Sequence, residues 1–272
     1  SFLDHHLKRG NSLMGARLDE ITKVLTQSDL NKETRTTKAA EARGQYAFRE
    51  MPQVMQRIGE ANQLLGKIAS QVVDRAEDIA QQEDYYGAVQ ELLEPYKRIG
   101  DLLVARDMGL KIADHELRAI ANAIEQGEEE RLFEEYKILV GKANRLLDDH
   151  ETLHWELEYP MIFLANASAE SLRESGFDVF IGNPPYLGGS KISTELGDTT
   201  LKFLKAKFAV SKQNTDLCAY FFVQGYDLLA KAGLLGLVAT NTIAQGATRE
   251  SRLEGILKNG GVITYADRYV TW

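Results

Sequence analysis

One cysteine, Cys218, is all the chain carries. That excludes an internal disulfide framework and fits a reducing cytoplasm. Five histidines and this cysteine show no C-x2-C or comparable spacing, so no metal is expected. No apolar run approaches the roughly 18 residues of a membrane span, and no signal-peptide pattern opens the chain. Excess basic charge is also lacking. A net charge of -8 excludes a protein that coats nucleic acid by charge alone, although a local basic groove stays compatible with it. Proline is sparse at five residues, and two of them stand side by side at Pro184-Pro185.

What is present is 272 residues with a 44% apolar fraction, enough for a sizeable core and long enough for two domains. Composition divides the chain into three segments: 1–16, 17–150 and 151–272. In the first, Gly10, Asn11 and Gly15 mark a turn after a short strand-like piece. The His5-His6 pair reads as a surface pair, since adjacent side chains cannot easily share one ion and no third ligand is near. The opening at Ser1 is abrupt, as in a chain cut from something longer.

Residues 17–150 are rich in Ala, Gln, Glu, Leu, Lys and Arg, with only Pro52 and Pro95 as prolines. Met51, Ile58, Leu65, Val72 and Ile79 recur every seven residues, and Val54, Ala61 and Ile68 form a second row. Two such rows predict the apolar seam of a long helix packed on helical neighbours. Further helices are expected at 17–28, 94–107 and 128–149, with Pro95 in a first turn and Gly109 as a stop. Turns are expected at Gln81-Gln82-Glu83-Asp84 and at Gly127. The acidic runs Glu128-Glu129-Glu130 and Glu134-Glu135 fit a solvated helix face rather than a cation loop. Glu135-Tyr136-Lys137 matches half of a metal-dependent nuclease signature, but a three-residue match inside a helical run is weak.

From 151 onward the pattern changes again. His154-Trp155-Glu156-Leu157-Glu158-Tyr159-Pro160 reads as a strand or connector, followed by a short helix at 167–175. Phe177–Gly182 then reads as a buried strand, leading into Asn183-Pro184-Pro185-Tyr186 and a flexible Gly188-Gly189-Ser190. Lys191, Lys202, Lys205, Lys207 and Lys212, interleaved with Phe203 and Phe208, make the most basic stretch. It is open to a DNA-facing reading or to a solvated helix face. A helix from Asp216 to Ala230, closed by Lys231-Ala232-Gly233, a buried strand at Leu234–Thr240, a helix at 248–258 and a strand at 262–270 complete the chain. Strands alternating with helices imply an α/β fold with a parallel sheet covered by helices. Sites in such sheets lie at the carboxyl ends of strands, where Asn183 and Asn241 fall.

The chemistry of the tetrapeptide follows from its groups. The Asn183 side-chain oxygen and the Pro184 carbonyl both accept hydrogen bonds, and Pro184 and Pro185 fix the backbone. Two converging acceptors would hold the two hydrogens of an exocyclic amine and aim its lone pair outward. Tyr186 offers a face for the ring that bears the amine. No neighbouring side chain suits a general base or nucleophile. The reaction best served is attack by a weakly basic amine on a strong electrophile. A rigid docking motif is the competing reading. Proline-rich ligands, however, lie in exposed surroundings, and this turn directly follows a strand.

At these residues the sequence resembles the amino-group DNA methyltransferases that make N6-methyladenine, whose motif is (Asn/Asp/Ser)-Pro-Pro-(Tyr/Phe/Trp) at a strand end. His-Trp-Glu-Leu-Glu-Tyr-Pro and the opening His-His-Leu-Lys-Arg-Gly-Asn-Ser-Leu-Met-Gly look like the large single-chain (type IIG-like) restriction–modification enzymes and their phage-defence relatives. The resemblance implies a partial Rossmann-like methyltransferase sheet in 1–16 and 151–272, with 17–150 as a large α-helical insertion. It implies S-adenosylmethionine as methyl donor, double-stranded DNA with a flipped adenine as substrate, and a bacterial or archaeal cytoplasm as location. Asn183, Pro184, Pro185 and Tyr186 would be catalytic, and Asn11, Asn183 and Asp216 would lie at the cofactor. Tyr186, Gly188, Gly189, Ser190, Tyr220 and Asn241 would line the substrate pocket with the Ala239-Thr240 strand end. The family's glycine-rich cofactor loop and ribose-gripping acid have no counterpart here. The chain is therefore expected to be a fragment that works with the remaining domains of a parent enzyme and is inactive alone. Two other readings remain open. One is an amine methyltransferase acting on protein glutamine or RNA. The other is a non-enzymatic role in which the helical block is a DNA clamp or interaction module.

Overall fold

The computed structural model describes residues 6–26, 53–164, 175–208, 215–244 and 253–267. Helix α1 (Leu18–Thr26) lies where the pattern placed one. The heptad rows hold only along α2 (Gln53–Ser70), where Val54, Ile58, Ala61, Leu65 and Ile68 are buried; Met51 lies outside the described residues. Val72 and Ile79 continue the rows in sequence, yet they are 76% and 41% exposed. The chain turns instead at 71–75, and α3 (Ala76–Asp107) begins. The Asp78 carboxylate accepts the N–H groups of Asp74 and Arg75 at 3.1 and 2.9 Å, which serves donors at the new helix start.

The expected turn at Gln81–Asp84 is thereby corrected, since those residues lie inside α3. Buried Gln82 donates from its amide to the Ile68 carbonyl at 3.2 Å, tying α3 to the end of α2. Pro95 is also inside α3 rather than in a first turn. Its missing N–H removes one hydrogen bond from a helix long enough to absorb the loss. Gly109 and Gly127 do end helices, with φ of 108° and 68°. Between them lies α4 (Asp114–Gln126), which the sequence reading omitted. Its start is marked by the Glu116 carboxylate accepting the Ala113 N–H at 2.7 Å. The helix expected at 128–149 is divided into a 3-10 turn at Glu129–Arg131 and α5 (Glu134–Leu147). The segment expected as strand or connector forms two short helices, α6 (Trp155–Glu158) and α7 (Pro160–Phe163), with Pro160 in the first turn of α7.

Contacts divide the chain into two units. The first comprises 1–10, 14–103 and 111–167; the second comprises 11–13, 104–110 and 168–272. The first unit is helical. Leu18, Ile21 and Val24 of α1 are buried where it packs on α4, whose Leu117, Ile120 and Ile124 are buried as well. His154 is 2% exposed and knots three segments together. Its Nδ1 accepts the Ala16 N–H at 3.0 Å, so Nε2 carries the hydrogen and donates to Asp101 Oδ1 at 3.2 Å. Asp101 also accepts the Thr152 hydroxyl at 2.7 Å. Glu158 sits between two half-buried ammonium groups, Lys8 at 3.2 Å and Lys97 at 2.5 Å. Burial raises the Glu158 carboxyl, but the two lysines outweigh it and hold it below the usual carboxylate range.

The second unit carries the sheet. Strands β1 (Phe177–Gly182) and β2 (Leu229–Leu237) pair in parallel, with Val179 opposite Leu234 and Gly182 opposite Leu237. The register slips between Phe177, opposite Leu229, and Val179. The slack falls at the expected helix stop Lys231-Ala232-Gly233, where Ala232 has φ 65°. The preceding helix, α10 (Leu217–Asp227), ends earlier than expected because Leu229 already pairs with Phe177. Gly225 lets α10 approach the sheet, since a Cβ there would lie 2.7 Å from Leu235 Cδ1 and 3.1 Å from Phe180 Cδ1. Neither strand is buried as expected: Val179 is 56% exposed, Ile181 78% and Leu234 60%.

Helices α8 (Ile192–Leu196) and α9 (Asp198–Lys207) follow β1, and α11 (Glu254–Lys258) follows β2. Phe203 and Phe208 are core residues rather than stacking partners for bases, whereas Lys191 and Lys202 are exposed. Residues 261–267 form no strand, and Val262 and Tyr265 are each 80% exposed. This corrects the strand expected at 262–270, within the part that is described. The helix expected at 167–175, Lys212 and most of the loop after Ala244 lie outside the described residues. Among the described residues no helix is long and apolar enough to cross a membrane, and no three His, Cys, Asp or Glu gather as metal ligands.

Candidate active site

The tetrapeptide stands at the carboxyl end of β1. Gly182 accepts the Val238 N–H at 3.1 Å, so pairing with the second strand continues to the residue before Asn183. Two prolines then halt the ladder, because neither supplies an N–H. Pro184 is buried, while Asn183, Pro185 and Tyr186 are exposed. The Tyr186 hydroxyl donates to Asn183 Oδ1 at 2.7 Å. The turn therefore presents its amide and its ring together on an accessible strand end, with one acceptor direction of the amide oxygen occupied.

The residues after the tetrapeptide are held by main-chain bonds. Leu187 accepts the Leu217 N–H at 2.9 Å, and the Gly189 N–H donates to Asp216 Oδ1 at 2.9 Å. Gly188 accepts the Lys191 N–H at 2.8 Å, closing a 3-10 turn at Gly189–Lys191. The expected flexible Gly188-Gly189-Ser190 loop is thus a hydrogen-bonded turn attached to the start of α10, with Gly188 and Ser190 exposed.

The other expected site residues divide by position. Tyr220, proposed to line the pocket, is 1% exposed and packs edge-on against Phe208 at 5.5 Å, so it supports α10 from inside. Asn241 is exposed and begins a 3-10 turn at Asn241–Ala244, four residues beyond the β2 end at Leu237. Cys218, one turn into α10, lies 3.9 Å from the Thr240 hydroxyl, and burial pushes its thiol pKa up. It is a buried neutral thiol, unsuited to nucleophilic work. Asn11 is exposed, and its Oδ1 accepts the Leu13 N–H at 3.1 Å in a tight local turn. The sequence reading missed the Leu187–Leu217 bond. It joins two backbone groups, so no side chain could have announced it.

A protein-family model describing the Eco57I restriction-modification methylase matches residues 11–268. The chain belongs to that family. The matched span includes the helical region as well as the tetrapeptide. Comparison with curated proteins and with solved structures gave no match. Membership in a restriction–modification methylase family points to methyl transfer to DNA, and the parallel strand pair is compatible with a methyltransferase sheet.

Proposed function

We propose that this chain carries the adenine-binding catalytic turn of an S-adenosylmethionine-dependent N6-adenine DNA methyltransferase. The parent would be a restriction–modification enzyme, of single-chain type, or a phage-defence relative. The observation that carries the reading is the Asn183–Tyr186 turn at the end of β1, exposed at every residue but Pro184, with amide and ring joined by a hydrogen bond. Asn183 Oδ1 and the Pro184 carbonyl accept the two amine hydrogens of an adenine turned out of the duplex. Tyr186 stacks on the base, and holding both hydrogens directs the nitrogen lone pair away from the ring.

S-adenosylmethionine supplies the electrophilic methyl group. The chain fits this donor in part. Asn11 is exposed, and its amide nitrogen is not used among the described residues, so it can donate to the adenosine end. Asn183 stands where amine and donor would meet. The glycine-rich loop and ribose acid of the resembling enzymes are not found in the sequence. After methyl transfer the amine proton leaves to solvent from an exposed site, which requires no internal base. In this reading residues 1–16 and 151–272 are pieces of a Rossmann-like methyltransferase core, and 17–150 are a helical insertion into it.

The test is methyl transfer to adenine in duplex DNA by the intact enzyme, with Asn183 and with Asn183→Ala. Loss of an amine acceptor should slow transfer roughly 100- to 1,000-fold, as for other preorganised transition-state hydrogen bonds. Transfer by the variant at the parental rate would refute the assignment.

A further inference from the structure

The loop that carries the tetrapeptide is fastened at both ends. Upstream, Gly182 is held by the Val238 N–H at 3.1 Å. Downstream, Leu187 and Gly189 exchange two hydrogen bonds with Leu217 and Asp216, each 2.9 Å. Asn183, Pro184, Pro185 and Tyr186 lie between the fastenings, and two of those four residues have φ fixed by their rings. The two anchors therefore set where Asn183 Oδ1 stands.

Asp216 is at the N-cap of α10, with φ -64° and ψ 147°. Aspartate favours that position because its carboxylate can accept its own helix's first N–H groups. Here it makes no such bond, and Oδ1 reaches the Gly189 N–H instead. One orphan donor of the helix, the Leu217 N–H, is satisfied by the Leu187 carbonyl. The far side of this clip is packed into the core, where Leu217, Cys218, Ala219 and Tyr220 are all buried. A group so placed controls the loop without having to touch a substrate.

We propose that Asp216 is a positioning residue for methyl transfer, which holds Asn183–Tyr186 in register through Gly189 rather than by contacting the methyl donor. The inference rests on the adenine-methyltransferase reading above. Misplacement of a reacting group by about 1 Å can cost on the order of 100-fold in rate. An anchor of this kind should thus appear in kcat before it appears in donor affinity.

The experiment uses the intact enzyme and four forms: parental, Asp216→Ala, Asp216→Asn and Asn183→Ala, with the double alanine variant as a fifth. Measured are kcat for methyl transfer to adenine in DNA, the Kd for S-adenosylmethionine and the thermal unfolding midpoint. Asp216→Ala should lower kcat roughly ten- to 100-fold, the loss of a charge-assisted hydrogen bond, with the donor Kd unchanged. Asp216→Asn keeps an Oδ1 acceptor and should restore most of the rate. The double variant should be no slower than Asn183→Ala alone, because the anchor acts through that residue. The proposal is overturned if Asp216→Ala transfers at the parental rate, or if it weakens donor binding as much as it slows transfer. Failure of the asparagine variant to rescue also overturns it, as does a loss of rate that follows only a lowered unfolding midpoint. If Asn183→Ala itself retains full rate, the functional reading falls first. If Asn183→Ala is dead while Asp216→Ala is fully active, only this inference falls.

Discussion

The Tyr186 hydroxyl and the Asn183 side-chain oxygen are 2.7 Å apart, donor to acceptor. An amide oxygen has two acceptor directions, so a substrate amine can use the second without breaking the first. The bond then orients Asn183 rather than blocking it. Tyr186→Phe keeps the ring and loses this donor, and transfer should fall only about two- to tenfold, the worth of one neutral hydrogen bond. Tyr186→Ala also loses the stacking face and should fall roughly five- to 150-fold. Steady-state methyl transfer by the intact enzyme separates the two. Equal losses would mean that the ring itself contributes nothing.

Gly15 is a second position where the structure makes a sharp demand. A Cβ there would lie 2.0 Å from the Leu153 carbonyl oxygen, a backbone atom with little freedom to move. The same crossing is tied by the Leu153 N–H donating to the Met14 carbonyl at 2.7 Å. Gly15→Ala should destabilise the first unit by about 1–3 kcal/mol through overpacking. A urea unfolding midpoint equal to the parental one would contradict this.

The Lys8–Glu158–Lys97 cluster predicts a pH effect with a defined sign. The folded carboxyl of Glu158 lies below its ordinary value because the two lysines outweigh the effect of burial. Its contribution is therefore fully present above the unfolded carboxyl's pKa and is lost as pH falls through the folded one. Melting of the first unit should drop on acidification below the ordinary glutamate range. Glu158→Gln should flatten that part of the profile. It should also cost roughly 2 kcal/mol at neutral pH, by leaving two half-buried ammonium groups without their anion. A variant with the parental acid profile would remove Glu158 as the cause.

Much of the site was legible because its chemistry is local. Asn183-Pro184-Pro185-Tyr186 after an apolar run announces a strand end, and Gly109 and Gly127 announce stops through their left-handed backbone. The helix boundaries were less readable. Val72 and Ile79 fit the heptad rows as well as Leu65 does, and only tertiary packing leaves them in water. Pro95 has a first-turn signature, but the buried side chains of Leu93, Tyr96 and Ile99 on either side carry the helix through it. The resemblance implied a place for Asp216 at the cofactor, but its bond to Gly189 was not legible, because it needs two segments 27 residues apart to meet. The burial of Tyr220 against Phe208 was equally unreadable, because it depends on packing between separate segments.

The exposed strand pair bears on how this polypeptide behaves in the tube. Val179, Ile181 and Leu234 place branched aliphatic side chains in water on a two-stranded parallel sheet, an arrangement normally covered on both faces. Apolar side chains left exposed together on strands favour association. A preparation of residues 1–272 should scatter light more steeply than its concentration rises, the sign of association, and Ile181→Lys should reduce that excess without unfolding α10. Colloidal behaviour, before any enzymology, would then report whether this strand pair has found its cover.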